Sequence, residues 1–450
     1  LVLAIIMTQS AGPEKRMEAT RVREAGTRES RSRSLRLREW VKANLPAPAK
    51  RLVSSVREAM AAPALEDITL HPYRLVADPD PRPRLNLVIP TLDPAQIFGG
   101  VMTGLDLLFN LAQRCDLDVR IVGDRVGDAI DRGVVDRAAA GRAFTRNVEI
   151  RARDQWDPEL PVRKRDVFIS FNWWTTLNLR PVMIEQARLF DRPALPLIYL
   201  LQEFEPAFYE LSSTHMHAMD ALNDQRQICI LNSSQLAGYM DTLGVGPRER
   251  YIIEPVMATE LRAHWDRPAN RSRRLLAYGR PQIPRNCFPA LTKGLQWWAQ
   301  HYPDAGRWTV VSAGTPHPPI RLSDGQVMQS LGKLSMDGYA AELSSCAVGV
   351  SLMASPHPSY PPLEMANFGM LAITNAYPGK SPAELHPNVI GIEGIGPEQI
   401  GEALVRACEQ FEAEGDAAGD IARGGSPFLD MDRNERVYAA LATRIQGLTD

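Results

Sequence analysis

Apolar residues in this chain fall into short unbroken runs joined by helical repeats, unlike the strict alternation of a half-exposed sheet. Leu85 to Ile89 is apolar except for Asn86, which suits a parallel strand buried on both faces. Similar runs predict strands at Val119 to Val122, Val167 to Phe171, Leu197 to Leu201 and Gln227 to Leu231. Between the first two, Val101, Leu105, Leu108, Phe109, Leu111 and Ala112 recur at helical spacing. The pattern restarts after Trp265-Asp266-Arg267-Pro268, with strands expected at Leu275 to Tyr278, Trp308 to Ser312, Val348 to Met353 and Leu371 to Thr374. A helix through Leu291, Leu295, Trp297 and Trp298 lies among them, and Asn434 to Leu448 reads as a closing helix. Strands alternating with helices predict an α/β class with parallel sheets, in two successive Rossmann-like halves. The boundaries expected are 84–267, 268–425 and a closing 426–450.

The first 83 residues read differently. Leu1 to Met7 is an apolar run too short to span a bilayer, and no basic region precedes it as in a secretory signal. Residues 14–58 hold 13 Lys or Arg against 6 Glu, with Leu35, Leu37, Trp40, Val41 and Leu45 forming a short stripe. Two readings stay open for this stretch: a basic helix lying on the inner face of a membrane, or a solvated tail. The prolines between Pro72 and Pro83 suggest a linker.

Composition narrows the function. With 51 basic and 53 acidic residues, no global field points to nucleic acid as a partner. Five scattered cysteines without a CxxC pair argue against a disulfide framework or zinc site and favour the cytoplasm. No Gly-Lys-Ser/Thr phosphate loop, HExxH or Ser-His-Asp order occurs. Three DxD triplets, Asp78-Pro79-Asp80, Asp116-Leu117-Asp118 and Asp430-Met431-Asp432, read as chance, so no metal is assigned. Histidines such as His215 and His217 read as structural or surface groups.

Two segments carry the chemistry. In Tyr278-Gly279-Arg280-Pro281-Gln282-Ile283-Pro284-Arg285-Asn286 a glycine ends a strand, and two arginines flank a turn. Ligands of open α/β sheets bind beyond the carboxyl ends of strands, where the guanidinium fork suits a phosphate. In Ser359 to Gly369, Pro361 and Pro362 fit a helix start whose amides and dipole favour a diphosphate. Glu364, one turn in, either accepts ribose hydroxyls or merely complements the dipole.

Together these segments resemble the retaining glycosyltransferases of GT-B fold, the class that includes glycogen synthase. Gly279, Arg280 and Arg285 match its Gly-Arg pair with a basic residue five beyond. Gly332, then Leu343 to Val350, then Pro361 through Gly369 match its downstream order. One departure is Pro356, which stands where the class usually carries a first glutamate; His357 beside it is a candidate substitute. The amino-terminal half is similar to bacterial rhamnosyltransferases of the WsaF type. That likeness runs through Tyr199 to Tyr209, Asn232-Ser233-Ser234, and Tyr278-Gly279-Arg280 followed by Pro284 to Phe288, while Ile89-Pro90-Thr91 and Gly99-Gly100-Val101 match the strand–loop–helix opening of the wider class.

The resemblance implies two domains facing across a cleft and rhamnose transfer from dTDP-L-rhamnose to a glycan or lipid-linked glycan. No cofactor is implied beyond the donor itself. Arg280, Arg285 and Glu364 would act on the donor, with contacts from Gly279, Gly314, Gly332, Tyr360, Pro361 and Leu363. Gly99, Gly100, Asn172, Trp173 and Glu205 would line the acceptor side. For Trp173, sugar stacking and ordinary packing are both open, and for Glu205, orienting an acceptor hydroxyl and a structural role. A nucleotide-sugar 2-epimerase and a non-catalytic glycan-binding module remain as alternative functions.

Overall fold

Pairing turns the apolar runs into two seven-stranded sheets. The structure is a computed structural model that describes residues 70–71, 73–93, 99–125, 132–140, 142, 144–153, 158–266, 270–420 and 426–450. The basic stretch 14–58 and the apolar start lie outside the described residues.

The amino-terminal half begins with β1 (Arg74–Ala77), β2 (Arg84–Ile89), α1 (Gly99–Cys115), β3 (Asp118–Gly123) and α2 (Arg132–Ala139). It continues through β4 (Val148–Ala152), β5 (Glu159–Val162), β6 (Asp166–Ser170), α3 (Trp173–Leu189) and β7 (Ile198–Leu201). It ends with α4 (Ser213–Leu222), β8 (Ile228–Leu231), α5 (Ser234–Leu243) and β9 (Arg250–Ile252). The main sheet runs β4-β3-β2-β6-β7-β8-β9, parallel throughout.

Alternate residues of β2 feed opposite faces, as a period of two requires. Leu85, Leu87 and Ile89 pack towards α1, while Val88 joins Phe168, Leu179 and Val182 on the other side. Asn86, the polar residue inside this run, is buried because its amide donates to the Val167 carbonyl at 3.0 Å. The segment expected as a linker contains β1, which pairs with β5 beside the main sheet. Buried Arg163 fastens the chain after it, reaching Asp78 at 3.1 Å, Asp80 at 2.9 Å and Asp118 at 2.8 Å.

The second half holds α6 (Thr259–Arg262), β10 (Ser272–Gly279), α7 (Phe288–His301), β11 (Thr309–Gly314), β12 (Ile320–Ser323) and β13 (Gln326–Gly332). Then come α8 (Met336–Ser345), β14 (Cys346–Ser351), α9 (Tyr360–Asn367), β15 (Leu371–Asn375) and β16 (Val389–Ile392). Helices α10 (Pro397–Glu414), α11 (Ala417–Asp420) and α12 (Glu435–Thr449) complete the chain. The strand order is β12-β13-β11-β10-β14-β15-β16, parallel except for β12. Helix α12 returns to the first half, where Leu441, Ile445 and Leu448 join the cluster beneath α1.

In both sheets the chain moves outward from one central strand and then resumes on that strand's other side. The order therefore reverses between β2 and β6 and again between β10 and β14. The crevice beyond the carboxyl ends at such a reversal is where open α/β sheets bind ligands.

Candidate functional site

The reversal in the second sheet brings the two chemistry-bearing segments together. Gly279 closes β10 and lies opposite Gly314 at the end of β11. A side chain at Gly314 would meet the Gly279 carbonyl oxygen at 2.2 Å, and its φ of +132° disfavours L residues. These glycines keep the sheet edge low, and Arg280 rises directly from it. Arg280 Nε donates to Asn286 Oδ1 at 3.4 Å, across a 3-10 turn over Pro284–Asn286. Arg285 sits in that turn, and its carbonyl accepts from the Ala354 N–H at 2.8 Å. The turn is thereby tied to the loop after β14.

Arg285 is the notable cation. Burial draws its guanidinium below the usual arginine range, partly opposed by the Glu203 charge. Its Nε is buried without a hydrogen-bond acceptor among the described residues. Its Cζ lies 4.3 Å from the ring centre of Phe208, which belongs to the opposite half. A half-buried guanidinium whose Nε–H lacks an acceptor favours an anion, because an unmade charged hydrogen bond is costly.

The loop after β14 is held from all sides. Asn375 Oδ1 accepts from the Met353 N–H at 2.8 Å, and Lys380 Nζ donates to the Met353 carbonyl at 3.0 Å. Burial lowers the Lys380 ammonium to about 8, with Glu203 acting in the opposite direction. Ser355 donates its hydroxyl to Glu203 Oε2, a contact between the halves. Neither Glu203 nor Lys380 stands out in sequence, since each lies in a polar loop.

His357 is buried, and its Nδ1 accepts from the Ser359 N–H at 3.0 Å. That bond places the neutral ring's proton on Nε2, in keeping with burial that lowers its pKa. The ring shapes the loop and does not stand in for a carboxylate at buried Pro356.

Helix α9 starts after Ser359, whose φ of +69° is strained for a non-glycine residue. No side chain caps this start. Because Pro361 and Pro362 lack N–H groups and the Ser359 N–H is given to His357, its first turn offers the amide of Tyr360. Glu364 Oε2 accepts from the Tyr339 hydroxyl at 2.9 Å, and burial raises its pKa to about 7. Burial raises the pKa of the Tyr278 phenol, with Arg280 opposing the shift and Glu364 adding to it.

The other residues singled out in the sequence sit in varied surroundings. Leu363 and Pro361 are buried, with Leu363 in the core beside Met365 and Phe368, so its side chain has no ligand face. Tyr360 points into the other half, its hydroxyl 3.4 Å from Thr103 Oγ1. Gly332 ends β13 at the same carboxyl edge with φ of +67°.

On the acceptor side, Asn172 is the cap of α3: its Oδ1 accepts from the Thr175 N–H at 3.1 Å. Trp173 is 2% exposed, and its Nε1 donates to Tyr209 Oη at 2.8 Å, so it packs the core and cannot stack on a sugar. Glu205 Oε2 accepts from the Trp173 N–H at 2.6 Å and the Tyr199 hydroxyl at 2.9 Å. Desolvation raises its pKa to about 8, which leaves it mostly protonated near neutrality. It pins a 3-10 turn over Glu205–Phe208 instead of meeting an acceptor. Gly99 and Gly100 open α1, and the Gly100 carbonyl accepts from Gln202 Nε2 at 3.0 Å. In the DxD triplets, Asp78, Asp80 and Asp118 are engaged by Arg163, and Asp116 by Arg146.

Two parallel α/β halves, an arginine pair and an uncapped helix start at one reversal, and loops of the other half facing them define a GT-B glycosyltransferase. Residues 84–234 match WsaF, N-terminal domain, and residues 273–405 match WsaF, C-terminal domain. The chain belongs to the WsaF family of these transferases.

The same fold occurs in HepE from Anabaena, solved with UDP (TM-score 0.50, 14% identity, 82% of this chain and 97% of that one). It also occurs in the UDP-forming α,α-trehalose-phosphate synthase of Burkholderia xenovorans, solved with glucose-6-phosphate (TM-score 0.50, 9% identity, 82% and 100%). The O-antigen biosynthesis protein RfbC of Myxococcus xanthus is 31% identical over 186 residues. That match spans 40% of this chain and 14% of RfbC. No described helix is long and apolar enough to cross a membrane.

Proposed function

We propose that the chain transfers rhamnose from dTDP-L-rhamnose, with retention at the anomeric carbon, to a growing surface glycan. The observation that carries this reading is half-buried Arg285, its Nε–H without an acceptor among the described residues, in the same strand-end turn as Arg280 at the reversal of the second sheet. As the bond between the anomeric carbon and the diphosphate breaks, negative charge gathers on the departing phosphate. Arg280, Arg285 and the amide of Tyr360 stabilise that charge, and Lys380 adds to the local field. The acceptor hydroxyl then bonds to the anomeric carbon while its proton passes to the departing phosphate oxygen. No protein base is needed for that step, and no metal is invoked. Glu364, on the helix that carries the Tyr360 amide, accepts from the nucleotide ribose. Family membership supports sugar transfer, and the partial likeness to an O-antigen biosynthesis protein supports a surface-glycan acceptor.

The test is a panel of nucleotide sugars incubated with lipid-linked and synthetic glycan acceptors, read by mass spectrometry and by NMR of the new anomeric centre. Transfer from dTDP-L-rhamnose with unchanged configuration is expected. Transfer only from another donor would remove rhamnose from the proposal, and an inverted product would remove retention. Conversion of donor without acceptor would point to an epimerase.

A further inference from the structure

The half-buried guanidinium of Arg285 and the aromatic ring across the cleft from it belong to different halves of the chain. Both are anchored. Phe208 ends the 3-10 turn over Glu205–Phe208, which Glu205 ties to the Trp173 N–H and the Tyr199 hydroxyl. Within the turn the Ala207 N–H donates to the Phe204 carbonyl at 3.1 Å, and the His215 ring meets the Pro206 carbonyl at 2.9 Å. On the other side, the Ala354 N–H holds the Arg285 carbonyl. The 4.3 Å contact therefore joins two braced elements.

We propose that Phe208 is a positioning residue for the donor diphosphate: it stacks on Arg285 and thereby completes the phosphate site from the opposite half. The inference rests on the reading that Arg285 receives the diphosphate. A guanidinium offers two separate kinds of surface. Its face is attracted to the aromatic ring, and its edge carries N–H donors in a fixed fork. Stacking uses the face and leaves the edge for two phosphate oxygens. The ring also excludes water from one side, which strengthens the remaining attraction to an anion. Holding the fork in one orientation before binding reduces the entropy lost on binding. The phosphate site is then complete only when the two halves meet, so donor affinity depends on a residue of the half that faces the acceptor.

Ordinary packing across the cleft would not distinguish an aromatic ring from an aliphatic side chain of similar bulk. The experiment uses the full chain and calorimetric titration with dTDP and with UDP, on the parent protein, Phe208→Leu, Phe208→Met and Phe208→Tyr. Each substitution is repeated in an Arg285→Ala background, with melting temperatures recorded throughout. For whichever nucleotide the parent binds, Leu and Met should weaken binding by about fivefold to thirtyfold. Tyr should stay within about twofold of the parent, and melting should barely move. With Arg285 removed, the difference between Phe and Leu should vanish. Equal binding by the parent, Leu and Met variants would overturn the inference. So would a Leu penalty that persists without Arg285. Absence of binding by the parent to either nucleotide would overturn both the inference and the function it rests on.

Discussion

Replacing Glu205 by glutamine tests whether this buried carboxyl is a structural pin. Its pKa of about 8, against an ordinary 4.5, is raised first by desolvation and lowered less by its two donors. That difference corresponds to about 5 kcal/mol between the two protonation states. Because the folded value is raised, the stabilisation is fully present below pH 4.5 and is lost as pH climbs through about 8. At pH 7 about 3 kcal/mol has been lost, a large share of an ordinary domain's net stability. Glutamine keeps an oxygen for the Trp173 N–H and the Tyr199 hydroxyl without any titration. Glu205→Gln should match the parent near pH 4.5 and exceed it by about 3 kcal/mol at pH 7 and about 5 kcal/mol near pH 9. Urea unfolding at several pH values, compared between the two proteins, measures the difference. A gap that does not change with pH, or a variant less stable at pH 7, would refute the reasoning.

Two further outcomes follow from the same geometry. Nucleoside diphosphate affinity should rise severalfold as pH increases through about 7, where Glu364 ionises and its bonds to ribose become charge-assisted. Glu364→Gln should flatten that profile, and a profile that survives the substitution would assign it to another group. Ser355→Ala removes a hydrogen bond to the Glu203 carboxylate across the cleft, worth about 2 kcal/mol by type. It should raise the donor KM by up to roughly thirtyfold with little change in melting, and an unchanged KM would mean that this contact does not hold the halves together.

The strands of both sheet centres were legible because a parallel strand covered on both faces needs an unbroken apolar run. Gly279, Arg280, Arg285 and the start of α9 were legible for a related reason: their spacing follows the strand end or helix start that positions them. Short edge strands were not. β1 lies in a proline-rich stretch and is fixed by β5, far along the chain, and by the carboxylates held by Arg163. Side-chain roles on the acceptor side were also hidden. An asparagine that caps a helix and one that binds a sugar are the same residue in sequence. What decides for Asn172, Trp173 and Glu205 is a set of partners brought together by folding. Phe208 and Glu203 lie in the run Tyr199 to Tyr209, but their partners, Arg285 and Ser355, belong to the other half and are not legible from that run.

The central claim is that Arg280 and Arg285 receive the charge of a departing diphosphate, and steady-state transfer kinetics of their alanine variants test it most directly. With the donor and acceptor that the parent uses, each variant should lose roughly a hundredfold or more in turnover while keeping the parent's melting temperature and circular dichroism. Undiminished transfer in both variants would contradict it.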